Sequence, residues 1–169
     1  MNQLHHYEVI SKFSTYKSLW DQLYFILSWI EYADNIGHFI RLSESLGLYK
    51  ILLCQCNVTS KALSVARNSS VEIMTVTKLE QYIEQSCDIF YAVEITTSSI
   101  DYKHITVPNN QCWIGLIMWS ERHGIDESIL SLVQDHVHVP MYGQNSSMNV
   151  SHAWAIVAYE IASKVMWSS

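Results

Sequence analysis

Three short stretches of this chain gather side chains that can do chemistry. In Asp34-Asn-Ile-Gly-His-Phe-Ile-Arg41, an amide at Asn35 precedes a guanidinium at Arg41. In Trp119-Ser-Glu-Arg-His-Gly124, a carboxylate at Glu121 sits beside Arg122 and His123. In Gln144-Asn-Ser-Ser-Met-Asn149, hydroxyls and amides follow one another. A guanidinium is a permanently charged fork that suits phosphate or a developing oxyanion. A carboxylate or imidazole can take a proton. Amides and hydroxyls can hold a polar substrate in register. His136-x-His138 has strand spacing, which puts both rings on one side. A metal pair is the minor reading of that pattern, and a hydrogen-bonded strand pair the major one. Cys54, Cys56, Cys87 and Cys112 lack zinc-type pairing and read as buried thiols in a reducing compartment. No metal is expected.

These side chains need a scaffold, and the hydrophobic pattern supplies one. Short apolar runs at 23–30, 49–54, 71–76, 88–95, 112–118 and 136–140 read as strands. Helical spacing falls at 38–46, 60–67, 78–85 and 126–133, with Gly47 stopping the first of these helices. Alternating strands and helices imply an α/β domain of about six mostly parallel strands flanked by helices. In such a sheet the ligand crevice lies beyond the carboxyl ends of the strands. Each polar cluster above follows a strand. The last cluster lies in a loop over residues 139–149, where Pro140 punctuates and Gly143 permits unusual dihedrals. One of Ser147, Asn149 or Ser151 is expected to cap the helix that follows. That helix is apolar nearly all round, which implies burial against its own sheet and against a further surface, such as a second copy of the chain.

Composition narrows the class. The chain has 169 residues, 49% of them hydrophobic and 15% charged, enough for one packed domain. No apolar run is long enough to cross a bilayer, and the N-terminus lacks a secretory pattern, so the cytoplasm is the expected location and no membrane partner is expected. Ten Lys and Arg against sixteen Asp and Glu give a net charge of −6. That balance argues against a strong nonspecific grip on polyphosphate, though not against a local basic patch.

The three stretches, taken in order, resemble the SPOUT superfamily in its SpoU (TrmH-like) branch. The first is similar to the Asn-x-Gly-x-x-x-Arg segment that opens the family. Ile117-Met-Trp-Ser-Glu-Arg-His-Gly-Ile125 is similar to its Gly-x-Glu-x-x-Gly segment. Val139-Pro-Met-x-Gly with Ser147-Met-Asn-Val-Ser151 is similar to its third motif. The resemblance implies a ribose 2'-O-methyltransferase that uses S-adenosylmethionine and acts on tRNA or rRNA. It also implies a C-terminal deep trefoil knot and a homodimer. By position, it implies a catalytic set of Arg41, Asn35, Glu121 and Asn149. It implies cofactor contacts at Val93, Trp119, Val139, Met141, Ser147 and Met148. The chain departs from the pattern at Trp119, where the family usually has Gly. The proton acceptor stays open between a substrate phosphate, Glu121, His38, His123 and His152.

Residues 1–22 are expected to form an N-terminal helical extension, with an amphipathic helix over 7–22, and residues 23–169 the methyltransferase domain. The competing reading is a SpoU-like RNA- or protein-binding scaffold whose cofactor contact is impaired by Trp119. The acidic balance and the altered second motif motivate it.

Overall fold

The computed structural model describes residues 8, 11–12, 22–48, 50–60, 64, 69–107, 112–120 and 124–167. Most of the helices expected over 7–22 and 60–67 lies outside them. The elements run β1 (Leu23–Ser28), α1 (Ala33–Leu46), β2 (Lys50–Cys54), β3 (Glu72–Val76), α2 (Leu79–Gln85), β4 (Ile89–Val93) and β5 (Ile100–Asp101). A 3-10 turn (Tyr102–His104) follows, then β6 (Ile114–Met118), α3 (Glu127–Leu130), β7 (Asp135–His138) and α4 (Val150–Trp167).

The strands form one sheet in the order β3-β2-β1-β6-β4-β7-β5. Every neighbouring pair is parallel. The sheet has seven strands where about six are expected from sequence. The extra one, β5, is two residues long inside a polar stretch, too short to show any periodicity. The first helix begins at Ala33, not at residue 38, and takes in Gly37. Ile36, Phe39 and Ile40 are all buried on it, and that burial outweighs the roughly 1 kcal/mol propensity cost of a helical glycine. Gly47 ends it as the sequence suggests. Its φ is 72°, its N–H donates to Glu44 O at 3.0 Å, and Leu48 N donates to Ser43 O at 2.8 Å.

Alternate residues of the central strands enter two separate cores, as a sheet covered on both faces requires. Phe25, Leu27, Leu53, Leu116 and Val137 pack with Phe39 and Ile40 of α1 and with Trp154, Val157 and Ile161 of α4. Tyr24, Ile26, Leu52, Phe90 and Ile117 pack with Leu79 and Ile83 of α2 and with Ile129 of α3. Gly115 is there because nothing larger fits. A Cβ at that position would lie 2.6 Å from Phe90 Cδ1 and 3.2 Å from the Tyr24 hydroxyl. That hydroxyl donates to Asp88 Oδ2 at 2.7 Å, and burial pushes the Tyr24 phenol well above its ordinary range. Cys54 is buried as expected, but Cys87 is exposed and the other two thiols are half-buried. The expectation of four buried thiols is corrected there, because Cys87 lies between α2 and β4 and not on an inward face of either.

α4 is the central prop of the first core. The Trp154 indole is fully buried, with its ring centre 3.5 Å from that of Phe25 and 4.6 Å from that of Phe39, inclined steeply to both. Near its other end, Lys164 Nζ donates to the carbonyls of Lys103 and Ile105 and pairs with Glu160. Tyr91 donates to Thr106 O at 2.6 Å from below the same segment's far end, and burial, then Asp135, pushes its phenol up to about 12. The opposite side of α4 leaves Ile156 and Tyr159 exposed.

Truncating Trp154 to Ala should cost about 3–5 kcal/mol, read as a lower midpoint in urea unfolding.

Candidate active site

A cavity of about 200 Å³ opens at the carboxyl ends of β4, β6 and β7. The strand ends contribute Val93, Met118, Val137 and Val139 to it. Residues 139–149 and the first turn of α4 contribute Met141, Ser147, Met148, Val150 and Ala153. Glu94, Ile95, Trp119, Ser120, Gly124 and His138 complete the lining. This is the expected place in a parallel sheet, because the strands that carry these residues are direct neighbours. The walls are largely apolar with a few polar groups among them, the usual make-up of a small-ligand site.

The loop before α4 is set by its cap. Asn149 Oδ1 accepts from Ser151 N at 2.8 Å and from Ser151 Oγ at 2.7 Å. Asn149 O accepts from His152 N at 2.9 Å and Ala153 N at 3.1 Å. Of the three candidate caps, Asn149 fills the role. Gly143 does not use a left-handed backbone, and a Cβ there would meet nothing within 4 Å. The left-handed glycine at the cavity is Gly124, with φ of 66°.

Glu94 is the charged group of the described lining. Oε1 accepts from its neighbour Ile95 N at 3.0 Å, and Oε2 accepts from Ile125 N at 3.1 Å. A Cβ on Gly124 would meet Oε2 at 3.1 Å. One carboxylate therefore fixes the residues just after β4 and the chain that leads into α3. Trp119 is 7% exposed and packs in the second core with Ile117, Ile125 and Ile129. Its bulk is taken up in that core, on the side of the sheet away from α4, while the residue still borders the cavity.

Val93, Trp119, Val139, Met141, Ser147 and Met148, singled out in the sequence, all line this cavity. Asn149 stands between two lining residues, Met148 and Val150, without lining it itself. Asn35, half-buried, and Arg41, exposed, both lie on α1 and do not line it. Glu121, Arg122 and His123 lie outside the described residues. His38 and His152 are exposed. Glu94 and His138 border the cavity and were not singled out for it. The strand-end rule could have found them, since Glu94 directly follows β4 and His138 ends β7. Among the described residues no group of three or more His, Cys, Asp or Glu is placed to hold a metal ion. No helix there is long and apolar enough to cross a membrane.

The SpoU rRNA Methylase family matches residues 22–159. The 23S rRNA (guanosine(2553)-2'-O)-methyltransferase RlmP of Bacillus subtilis is 26% identical over 136 residues, 78% of this chain and 54% of that protein. The chain spans about half the length of the curated relatives it matches, with 57% of the Staphylococcus epidermidis TrmH family relative covered. The A. aeolicus TrmH/SpoU tRNA modifying enzyme shares the fold at a TM-score of 0.74 and 15% identity, over 94% of this chain and 84% of that one. The AdoMet-bound rRNA methyltransferase of Sinorhizobium meliloti does so at 0.74 and 18%, over 83% and 55%.

Replacing Glu94 by Ala should speed amide hydrogen exchange at Ile95 and Ile125 by about tenfold, the worth of one hydrogen bond to a charged group. Exchange in β1 and β6 should change little.

Proposed function

Because the chain belongs to the SpoU rRNA methylase family, we propose that it transfers a methyl group from S-adenosylmethionine to a ribose 2'-hydroxyl of tRNA or rRNA. One observation carries the reading. The six residues that the resemblance marks for the methyl donor come from separate parts of the sequence and line a single cavity. Apolar walls suit a purine, and the polar groups at Glu94, Ser120, His138 and Ser147 suit its hydrogen-bonding edges. The similarity of the B. subtilis RlmP, a 2'-O-methyltransferase by name, supports ribose as the acceptor.

S-adenosylmethionine, when bound, supplies an electrophilic methyl group on a sulfonium sulfur. The work of the protein is then positioning, since oxygen, carbon and sulfur must lie in line. Arg41 is exposed on α1, where a polynucleotide can reach it. A guanidinium stays protonated, so Arg41 would hold a phosphate or the developing alkoxide and not remove the proton. Asn35, Glu121 and Asn149 would orient the ribose and the loop beside it. The proton would pass to a phosphate or to one of Glu121, His38, His123 and His152.

We further read the exposed Ile156 and Tyr159 on α4 as the contact of a homodimer, and the tie between α4 and residues 103–105 as part of the knot that the resemblance implies. The net charge of −6 favours the scaffold reading as the competitor. The packing of Trp119 in the second core weakens the steric argument for it.

Calorimetry with S-adenosylmethionine separates the two, since a scaffold without cofactor contact gives no heat. Arg41→Ala should leave cofactor affinity within about twofold and lower ribose methylation of total RNA at least a hundredfold, a loss of about 2.7 kcal/mol in transition-state stabilisation. Full activity in that variant would remove the role given to Arg41.

A further inference from the structure

His136 and His138 end β7 on the same side, yet their hydrogen bonds require opposite tautomers. His136 Nε2 lies 2.9 Å from Leu130 O. A carbonyl only accepts, so this nitrogen carries the proton. Its Nδ1 then accepts from the Thr96 hydroxyl at 3.0 Å, with the Ser98 hydroxyl 3.3 Å away. Both nitrogens of His136 are thereby used.

His138 is different. Its Nδ1 lies 2.9 Å from Ser99 Oγ. That oxygen donates its single proton to Thr96 O at 2.9 Å and accepts from Thr96 N at 3.0 Å. A hydroxyl has one proton, so all three contacts of this oxygen are hydrogen bonds at once only if the proton in the His138 bond belongs to the ring. His138 is held with Nδ1 protonated, and the neutral ring keeps a lone pair on Nε2. Ser99 is in turn fixed by the turn at Thr96, so the orientation of the ring is prepared before any ligand arrives.

His138 also borders the cavity. The Glu94 carboxylate spends one oxygen on each of two backbone amides. We propose that Nε2 of His138 accepts a hydrogen bond from the adenosyl group of the bound methyl donor, and that Ser99 is the positioning residue that sets its tautomer. This rests on the cofactor reading above. The donor to Nε2 is an N–H or O–H of the nucleoside, from either the exocyclic amine or a ribose hydroxyl. A ligand that lacks it leaves a prepared acceptor unpaired in a partly buried site, which is how such contacts discriminate.

The test is calorimetry of the full chain at pH 8 with S-adenosylhomocysteine, together with thermal unfolding. In His138→Asn the side-chain amide can keep the bond to Ser99 but leaves nothing at Nε2. In His138→Gln the amide oxygen can take the place of Nε2. His138→Asn should weaken binding about tenfold, equivalent to about 1.4 kcal/mol, and His138→Gln should stay within about threefold of wild type. S-inosylhomocysteine replaces the amine by a carbonyl, and the 3'-deoxyadenosyl analogue removes a ribose hydroxyl. Whichever of them loses affinity against wild type but not further against His138→Asn identifies the donor. Wild-type affinity in His138→Asn overturns the proposal, as does equal weakening in both variants with a lowered Tm, which marks a structural role. A wild-type chain that binds neither S-adenosylmethionine nor S-adenosylhomocysteine overturns the cofactor reading itself.

Discussion

The packing of Trp154 between Phe25 and Phe39 is the contact on which the rest of the architecture depends. It joins a central strand, the first helix and the last helix at one point inside the larger core. An indole buries on the order of 200 Å² of surface. No smaller residue could hold α4 at that depth without a void. With the helix fixed there, its first turn must end beside β4, β6 and β7. The loop before it then has little choice but to cover their carboxyl ends. The cavity is thus a by-product of where one helix is wedged, and its lining is shared between rigid strand ends and a loop held by the Asn149 cap.

Much of this frame can be read in the sequence, for identifiable reasons. Strands covered on both faces need unbroken apolar runs, so β1, β2 and β6 stand out. Gly47 marks a helix end because it solves a local hydrogen-bonding problem that few other residues can, and the cap of α4 is narrowed to Ser147, Asn149 or Ser151, among which only the structure chooses. What escapes notice depends on tertiary context. β5 has no pattern of its own and exists only because β7 offers an edge. α1 runs through Gly37 because of what its neighbours bury. The shape of the site is less legible than the fold. The resemblance marks the lining residues one by one, but only the strand order β6-β4-β7 makes them neighbours. Glu94 carries no motif, and the His136-x-His138 spacing says nothing of a cavity. Their importance comes from standing at the ends of β4 and β7, which no spacing rule expresses.

The polar groups around the cavity share a manner of construction. Glu94, Asn149 and Ser99 bond to backbone groups within their own or a neighbouring loop, and His136 bonds to the last carbonyl of α3. The loops at the cavity are thereby tied to themselves and to their neighbours by the protein's own groups. The cost of ordering a binding site is then met during folding and not at the moment of association. For a chain with a net charge of −6, this matters. Such a charge supplies no broad attractive field for an anion, so precise local placement has to carry more of any anion binding.

The strand order has a kinetic consequence as well. β1 is central, and one of its two neighbours is β6, whose residues pair with it from Leu23 with Ile114 to Leu27 with Met118. During synthesis this wholly buried strand leaves the ribosome long before that neighbour exists. Pairings between such distant segments form slowly, and an unmet strand edge in the meantime invites the wrong company. The edge of β1 that meets β6 stays open until the second half of the chain has been made.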